Sequence, residues 1–158
     1  MLQVRELGPD DWSDWRSIRL AALADAPDAF VTRLSDWQGD GDTEPRWRER
    51  LASVPYNVVA ERDGRAIGMV SAMRNDADGS AELLSLWVTP DVRGTGVSDA
   101  LISSVIDWAR AHSAHSLRLQ FIEGNAPAER LYVRHGLRRS GMAGPGSEGA
   151  EVEMARSL

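Results

Sequence analysis

Residues 81–98, AELLSLWVTPDVRGTGVS, hold the reading on which the rest of the chain depends. Ala81 to Thr89 is densely apolar with no interior Gly or Pro, the composition of a buried strand, and Pro90 ends it because proline brings no N–H to a ladder. Arg93 to Ser98 (RGTGVS) then sets two glycines before an apolar pattern, Leu101, Ile102, Val105, Ile106 and Trp108, whose spacing of three to four residues predicts a helix. A strand joined to a helix through glycines suggests a ligand-binding turn. Glycines there let backbone N–H groups converge on one spot at the positive end of the helix, so a phosphate or pyrophosphate would be held. The helix dipole contributes only about 0.3–1 kcal/mol, so several N–H donors must act together with Arg93. The same residues also suit a plain turn that uses glycine for its dihedrals.

Working outward, Ser116 to Ile122 alternates Leu117, Leu119 and Phe121 with polar residues and predicts another strand. Ala126 to His135 reads as a short helix stopped by Gly136; a glycine-rich loop (GMAGPGSEG) and a last strand, Glu151 to Arg156, follow. On the N-terminal side, strands from Tyr56 and over Arg65 to Met73 flank Asp63-Gly64, a dipeptide that suits a tight hairpin because both central residues take positive φ. A second turn lies at Asp76 to Gly79. The front of the chain reads as a strand ending at Gly8-Pro9, then a helix capped by Asp10 that carries Trp12, Trp15, Ile18 and Ala22 and ends near Asp25 to Pro27. Trp37 to Thr43 is a polar loop, and a short helix from Pro45 runs to about Ala52. With no internal repeat or linker, the expectation is one α/β unit over residues 1–158, antiparallel hairpins followed by a strand–helix–strand element.

Composition removes several classes of chemistry. The 158 residues, 42% hydrophobic and 27% charged, suffice for one core, and no apolar run approaches the ~18 residues of a membrane span. Met1 to Pro9 carries charge where an export signal would be apolar, so the cytoplasm is the expected location. There is no Cys, which removes disulfides, thiolate nucleophiles and sulfur-ligated metals. All 18 basic residues are Arg, so neither a phosphate loop ending in Gly-Lys-Ser/Thr nor a lysine Schiff base is available. The net charge of −6 with dispersed Arg argues against nucleic acid as a partner and favours a cationic small substrate. Other glycine fingerprints also fail: Asp99 stands at the third position of a dinucleotide motif, and neither Ser98 nor Ser147 sits in Gly-x-Ser-x-Gly.

About thirty residues after the turn stands Asn125-x-x-Ala128-x-x-Leu131-Tyr132-x-x-x-Gly136-Leu137. Together the two segments resemble the GNAT superfamily of acetyl-CoA-dependent N-acetyltransferases, whose signature joins an Arg/Gln-x-x-Gly-x-Gly/Ala turn to an Asn-x-x-Ala-x-x-Leu-Tyr-x-x-x-Gly-Phe helix. The strand ending Leu86-Trp87-Val88-Thr89-Pro90 and the order of elements along nearly the whole chain are similar to that family as well. Ser98 replaces its Gly or Ala, and Leu137 its Phe, an apolar exchange at a packing position.

The resemblance implies a mixed, mostly antiparallel sheet flanked by about four helices, with acetyl-CoA in a cleft between two splayed parallel strands, Ala81 to Thr89 and Ser116 to Ile122. The pyrophosphate would rest on Arg93, Gly94, Thr95, Gly96, Val97 and Ser98. The pantetheine arm would run along Leu86, Trp87 and Val88 as an added strand, with Asn125 bonding it from the other side. An amine of pKa ~10.4 is protonated at neutral pH, and stripping its proton at pH 7 costs roughly 4.6 kcal/mol, so a base is required. Glu82 is the candidate base, and Tyr132 the candidate group that protonates or hydrogen-bonds the leaving thiolate, beside which the cofactor also lies. His112 and His115 read as a solvated helix end and His135 as a helix C-terminal cation, so no metal is expected. Trp37 or Trp47 could line an acceptor pocket, which in this family is built largely from the first two helices. The expected acceptor is an amine-bearing small molecule or peptide. Rival expectations are a non-catalytic acyl-CoA sensor and a toxin acting on aminoacyl-tRNA. Homodimers are common in the family; the sequence itself carries no signal of quaternary state.

Overall fold

Asp63 and Gly64 take φ values of 53° and 77°, so the expected tight turn forms and folds two strands against each other, β2 (Tyr56–Arg62) and β3 (Arg65–Asn75). The computed structural model describes residues 1–27, 33–146 and 149–158, the side chains of 142–150 excepted. Around that hairpin grows one seven-stranded sheet in the order β1-β2-β3-β4-β5-β7-β6. Its other members are β1 (Leu2–Glu6), β4 (Ser80–Val88), β5 (Ser116–Ile122), β6 (Arg138–Gly146) and β7 (Gly149–Ser157). Every neighbouring pair is antiparallel except β4 and β5, which run parallel. A parallel pair needs a crossover, and α3 (Val97–Ala111) supplies it.

Two cores sandwich the sheet. On one face α1 (Trp12–Asp25) and α2 (Glu44–Ser53) press Trp15, Ile18, Trp47 and Leu51 onto Val59, Met69 and Trp87. On the other, α3 and α4 (Ala126–Arg134) pack Leu101, Val105 and Tyr132 with Val58, Val70, Leu83 and Leu119. Val58 and Val59 fall in different cores because successive strand residues point to opposite faces.

Three local expectations change. Asp10 does not cap α1: a single tight helical turn over Pro9–Asp11 precedes it, and the Asp10 carboxylate instead accepts from Arg48 Nη1 at 2.7 Å. The glycine-rich stretch from Gly141 is not a loop as far as Gly146. It belongs to β6, because β7 runs beside it and pairs with it through two register shifts, which overrides glycine's weak strand preference; Ser147 and Glu148, also read as part of that loop, lie outside the described residues. Trp47 is fully buried with its indole N–H on Asp42 Oδ1 at 2.8 Å, and Trp37 packs on it at 4.3 Å between ring centroids.

Candidate active site

β4 and β5 pair only over three residues, Ser80 with Ser116, Ala81 with Leu117 and Glu82 with Arg118. Beyond that point β5 stays bound to β7 as far as Ile122, while β4 stays bound to β3. The two strands therefore part immediately after Glu82, leaving facing edges whose N–H and C=O groups are not used by the sheet. A bulge drives the separation. Leu84 pairs with Ser71 and Trp87 with Met69, so two β4 residues, Ser85 and Leu86, oppose Val70 alone, and Ser85 takes φ 58°. A cavity of about 860 Å³ opens in the fork, within the range of ligand pockets.

At the outer end of β4 the chain turns through Arg93–Gly96 into α3. Gly94 and Gly96 have φ of 78° and 93°, Gly96 being the residue that caps the helix, and nothing lies within 4 Å of where a side chain on either would start. These glycines serve the backbone conformation and leave open space over it. The first N–H groups of α3, on Val97, Ser98 and Asp99, have no intrahelical acceptor and form a positive helix end beside the cavity. Asp99 would oppose an anion there, but its carboxylate is drawn to the far end of α4, on Arg134 at 3.0 Å and His135 at 2.7 Å. Those contacts, His135 foremost, hold its pKa below the usual carboxylate range.

Of the residues singled out in the sequence, Glu82, Leu86, Trp87, Val88, Arg93, Gly94, Gly96, Ser98, Asn125 and Tyr132 all line this cavity. Thr95 and Val97 do not: the Thr95 hydroxyl donates to Val92 O, and the Val97 side chain is buried in the α3 core, so only their backbone borders the turn. The Arg93 guanidinium points back to Asp25 Oδ2 at 2.6 Å, where the indole of Trp87 also donates at 3.0 Å, pinning the end of α1 to β4. Asn125 caps α4, accepting from Ala128 N at 3.3 Å. The Tyr132 phenol is buried, which pushes its pKa up to about 12. Glu82 is half-buried; desolvation raises its pKa, and Glu153 adds to that rise while Arg118 opposes it.

Neither Trp37 nor Trp47 lines the cavity; their place in the α1–α2 core explains why. The histidines part company: His112 Nδ1 lies 2.9 Å from Trp108 O, and His115 Nε2 lies 2.6 Å from Asp78 O. Sequence reasoning missed Arg19, Arg134 and Glu151, which line the cavity from α1, α4 and β7. Arg19 stands four residues after Trp15 and three before Ala22, a spacing that puts it on the buried face of α1 and could have flagged it.

Residues 12–137 match the acetyltransferase (GNAT) family. An uncharacterized N-acetyltransferase of Archaeoglobus fulgidus is 31% identical over 153 residues, which take in 93% of this chain and 100% of that protein. Among solved structures, an acetyltransferase of the GNAT family from Streptococcus pneumoniae superposes with a TM-score of 0.81 at 19% identity, over 100% of this chain and 99% of that one. A putative acetyltransferase from Salmonella typhimurium, solved with its cofactor acetyl-CoA, superposes with a TM-score of 0.77 at 23% identity, over 100% and 94%. The likeness to these two structures concerns the fold. No helix among the described residues is long and apolar enough to cross a membrane.

Proposed function

From the premise that the chain belongs to the GNAT acetyltransferase family and is an acetyl-CoA-dependent acyltransferase, we propose that its whole length is one domain that transfers acetyl directly to a primary amine. The observation that carries this reading is the fork after Glu82, which frees two strand edges and sets a carboxylate at their point of divergence. The residues fit the donor. The free edge of Leu86 to Val88 suits the amides of a pantetheine arm laid down as an extra strand, and the open backbone from Arg93 to Ser98 suits a diphosphate. Asn125 borders the same channel from α4.

Glu82 takes a proton from the incoming ammonium, and its raised pKa narrows the gap to that of the amine. The freed nitrogen attacks the thioester carbon, the C–S bond breaks, and the second nitrogen proton leaves with the sulfur as free thiol. Glu82 then returns its proton to solvent. With its pKa pushed up to about 12, the Tyr132 phenol keeps its proton at neutral pH, and giving it up fully to a thiolate of pKa ~8.5 would be steeply uphill. Its role is therefore to donate a hydrogen bond to the sulfur as charge develops there.

Calorimetry with acetyl-CoA, run beside an assay of amine-dependent thiol release, tests the reading. Binding and release are both expected; binding with no release on any amine would replace it with the sensor reading.

A further inference from the structure

The acyl-transfer reading leaves the acceptor's own chemistry open, and the α1 wall of the cavity speaks to it. Arg19 lines the cavity from α1, and Ala26, the residue that follows the helix, lines it too, so the C-terminal part of α1 borders the cleft. Arg19 is only 8% exposed. Burial first, and then the charge of Arg50, lowers its pKa to about 10, which still leaves it cationic at neutral pH. Arg50, on α2, stands behind it. Its hydrogen bonds go to Asn57 Oδ1 at 2.9 Å and Ser71 Oγ at 3.1 Å, and it lies 5.3 Å from the ring centre of Trp15. Those partners are neutral, so a second desolvated cation reinforces the first without a carboxylate among its hydrogen-bond acceptors.

Register places this positive region. Ser71 pairs with Leu84, two residues beyond Glu82 on the same face of β4, and Leu84 itself lines the cavity. The cavity's other arginines serve its phosphate end, Arg93 held by Asp25 and Arg134 by Asp99. The acceptor end thus presents a carboxylate, Glu82, to an amine and a guanidinium, Arg19, to something anionic. With five N–H donors in a planar fork, a guanidinium can hold a protein partner and a substrate carboxylate at once.

We propose that Arg19 receives a carboxylate borne by the acceptor, so that the acceptor class is a small amino-acid-type molecule with its amine toward Glu82 and its carboxylate toward α1. A diamine would instead bring its second cation against Arg19 and Arg50. This inference rests on the acyl-transfer reading of the cleft.

The test compares thiol release for L-leucine, L-phenylalanine and L-glutamate with their α-carboxamides, and for putrescine. Because the carboxamide's amine is the less basic and more available of each pair, a preference for the acid reports recognition of the carboxylate rather than amine basicity. At least tenfold higher kcat/KM for the acid is expected in the pairs that turn over. Arg19→Gln should erase that preference through the acceptor's KM with the KM for acetyl-CoA unchanged, and Arg19→Lys should restore part of it. Equal use of acid and carboxamide, or a preference for putrescine, overturns the proposal. A second arm needs neither turnover nor a variant: N-acetyl-L-leucine, N-acetyl-L-phenylalanine and N-acetyl-L-glutamate are titrated into coenzyme A-saturated protein beside their α-carboxamides. Tenfold tighter binding of at least one acid is expected, and no discrimination in either arm overturns the assignment. Discrimination in binding with no thiol release from any amine would sink the acyl-transfer reading and leave Arg19 standing.

Discussion

Along the side of the cleft proposed for the donor, from Leu86 to Ser98, the chain offers a strand edge and a helix start, whereas along α1 it offers a side chain, Arg19, with Arg50, Asn57 and Ser71 behind it. The first wall is fixed by dihedral angles and by the register of one sheet. The second is backed by hydrogen bonds among α2, β2 and β3 that stand behind the α1 side chain. A backbone wall suits a donor common to many enzymes, and a side-chain wall suits an acceptor that changes from one to another. Glu82 stands at the fork and Tyr132 lines the same cavity as the proposed base and hydrogen-bond donor, so changes there should have the largest effects.

Replacing Glu82 with Gln should lower kcat/KM by about 10²- to 10⁴-fold, the span of a lost general base, and abolish the acid limb of its pH profile. The base works deprotonated, so activity rises with pH through its pKa, and burial sets that limb above the ordinary carboxylate range. Removing the like charge in Glu153→Gln should move the limb to lower pH, and Arg118→Gln should move it higher. A pH–rate profile of each variant checks the order; a limb that survives Glu82→Gln assigns the base elsewhere. Next in size is Tyr132→Phe, which deletes a hydrogen bond to a developing charge worth about 1.5–3 kcal/mol, or roughly 10- to 150-fold in kcat with little change in KM for acetyl-CoA. Steady-state kinetics with saturating amine reads it, and near-normal kcat would remove the phenol from the reaction.

The same contrast explains what could be read from sequence alone. Gly94 and Gly96 encode backbone geometry locally, through positive φ, so their neighbours in the chain suffice to interpret them, whereas Asn125 is singled out through the family motif and its capping of α4 comes from the structure. The hairpin at Asp63-Gly64 and the bounds of β5 were legible from local pattern too. The fork could be expected only through the resemblance to the family, because it arises from a two-against-one register at Val70 that no local pattern announces. Nor was β6 legible, since its glycines argue for a loop until β7 is placed beside them. The α1 wall was hidden most deeply. Arg19 looks like any helical arginine until packing buries it, and the group behind it joins residues 50, 57 and 71 from three further elements. Trp37 and Trp47 misled in the opposite sense, since large aromatics suit a pocket and a core equally well until Trp47's indole is seen on Asp42.

Two smaller changes sharpen the distinction between walls. In Gly96→Ala a Cβ is forced into φ 93°, and the cost of about 1–2 kcal/mol should weaken coenzyme A by roughly 5- to 30-fold, because the strained turn withdraws several N–H donors at once. Thr95→Ala, one residue earlier, removes only a hydroxyl engaged with Val92 O and should alter calorimetric Kd by less than about threefold. If the two behave alike, the wall is made of side chains after all.

The smallest effect belongs to Asp99→Asn, which should lower stability slightly without weakening coenzyme A binding. Asp99 has a folded-state pKa held below its unfolded value, chiefly by His135 and then by Arg134. Its contribution to stability is therefore present above the unfolded carboxylate pKa of about 3.9 and is lost as pH falls through the lower folded value. Its side chain is 40% exposed, so solvent screening limits that contribution to a few tenths of a kcal/mol, at most about 1. Urea unfolding should show the variant slightly less stable at pH 7 and indistinguishable from the parent once pH falls below the folded pKa. Coenzyme A should bind the variant no more weakly, since a negative charge leaves the first turn of α3 and Arg134, which lines the cavity, is released from its ion pair. A weaker Kd in Asp99→Asn would mean that the contact between α3 and α4 itself shapes the diphosphate end, and that this part of the donor wall depends on side chains as the α1 wall does.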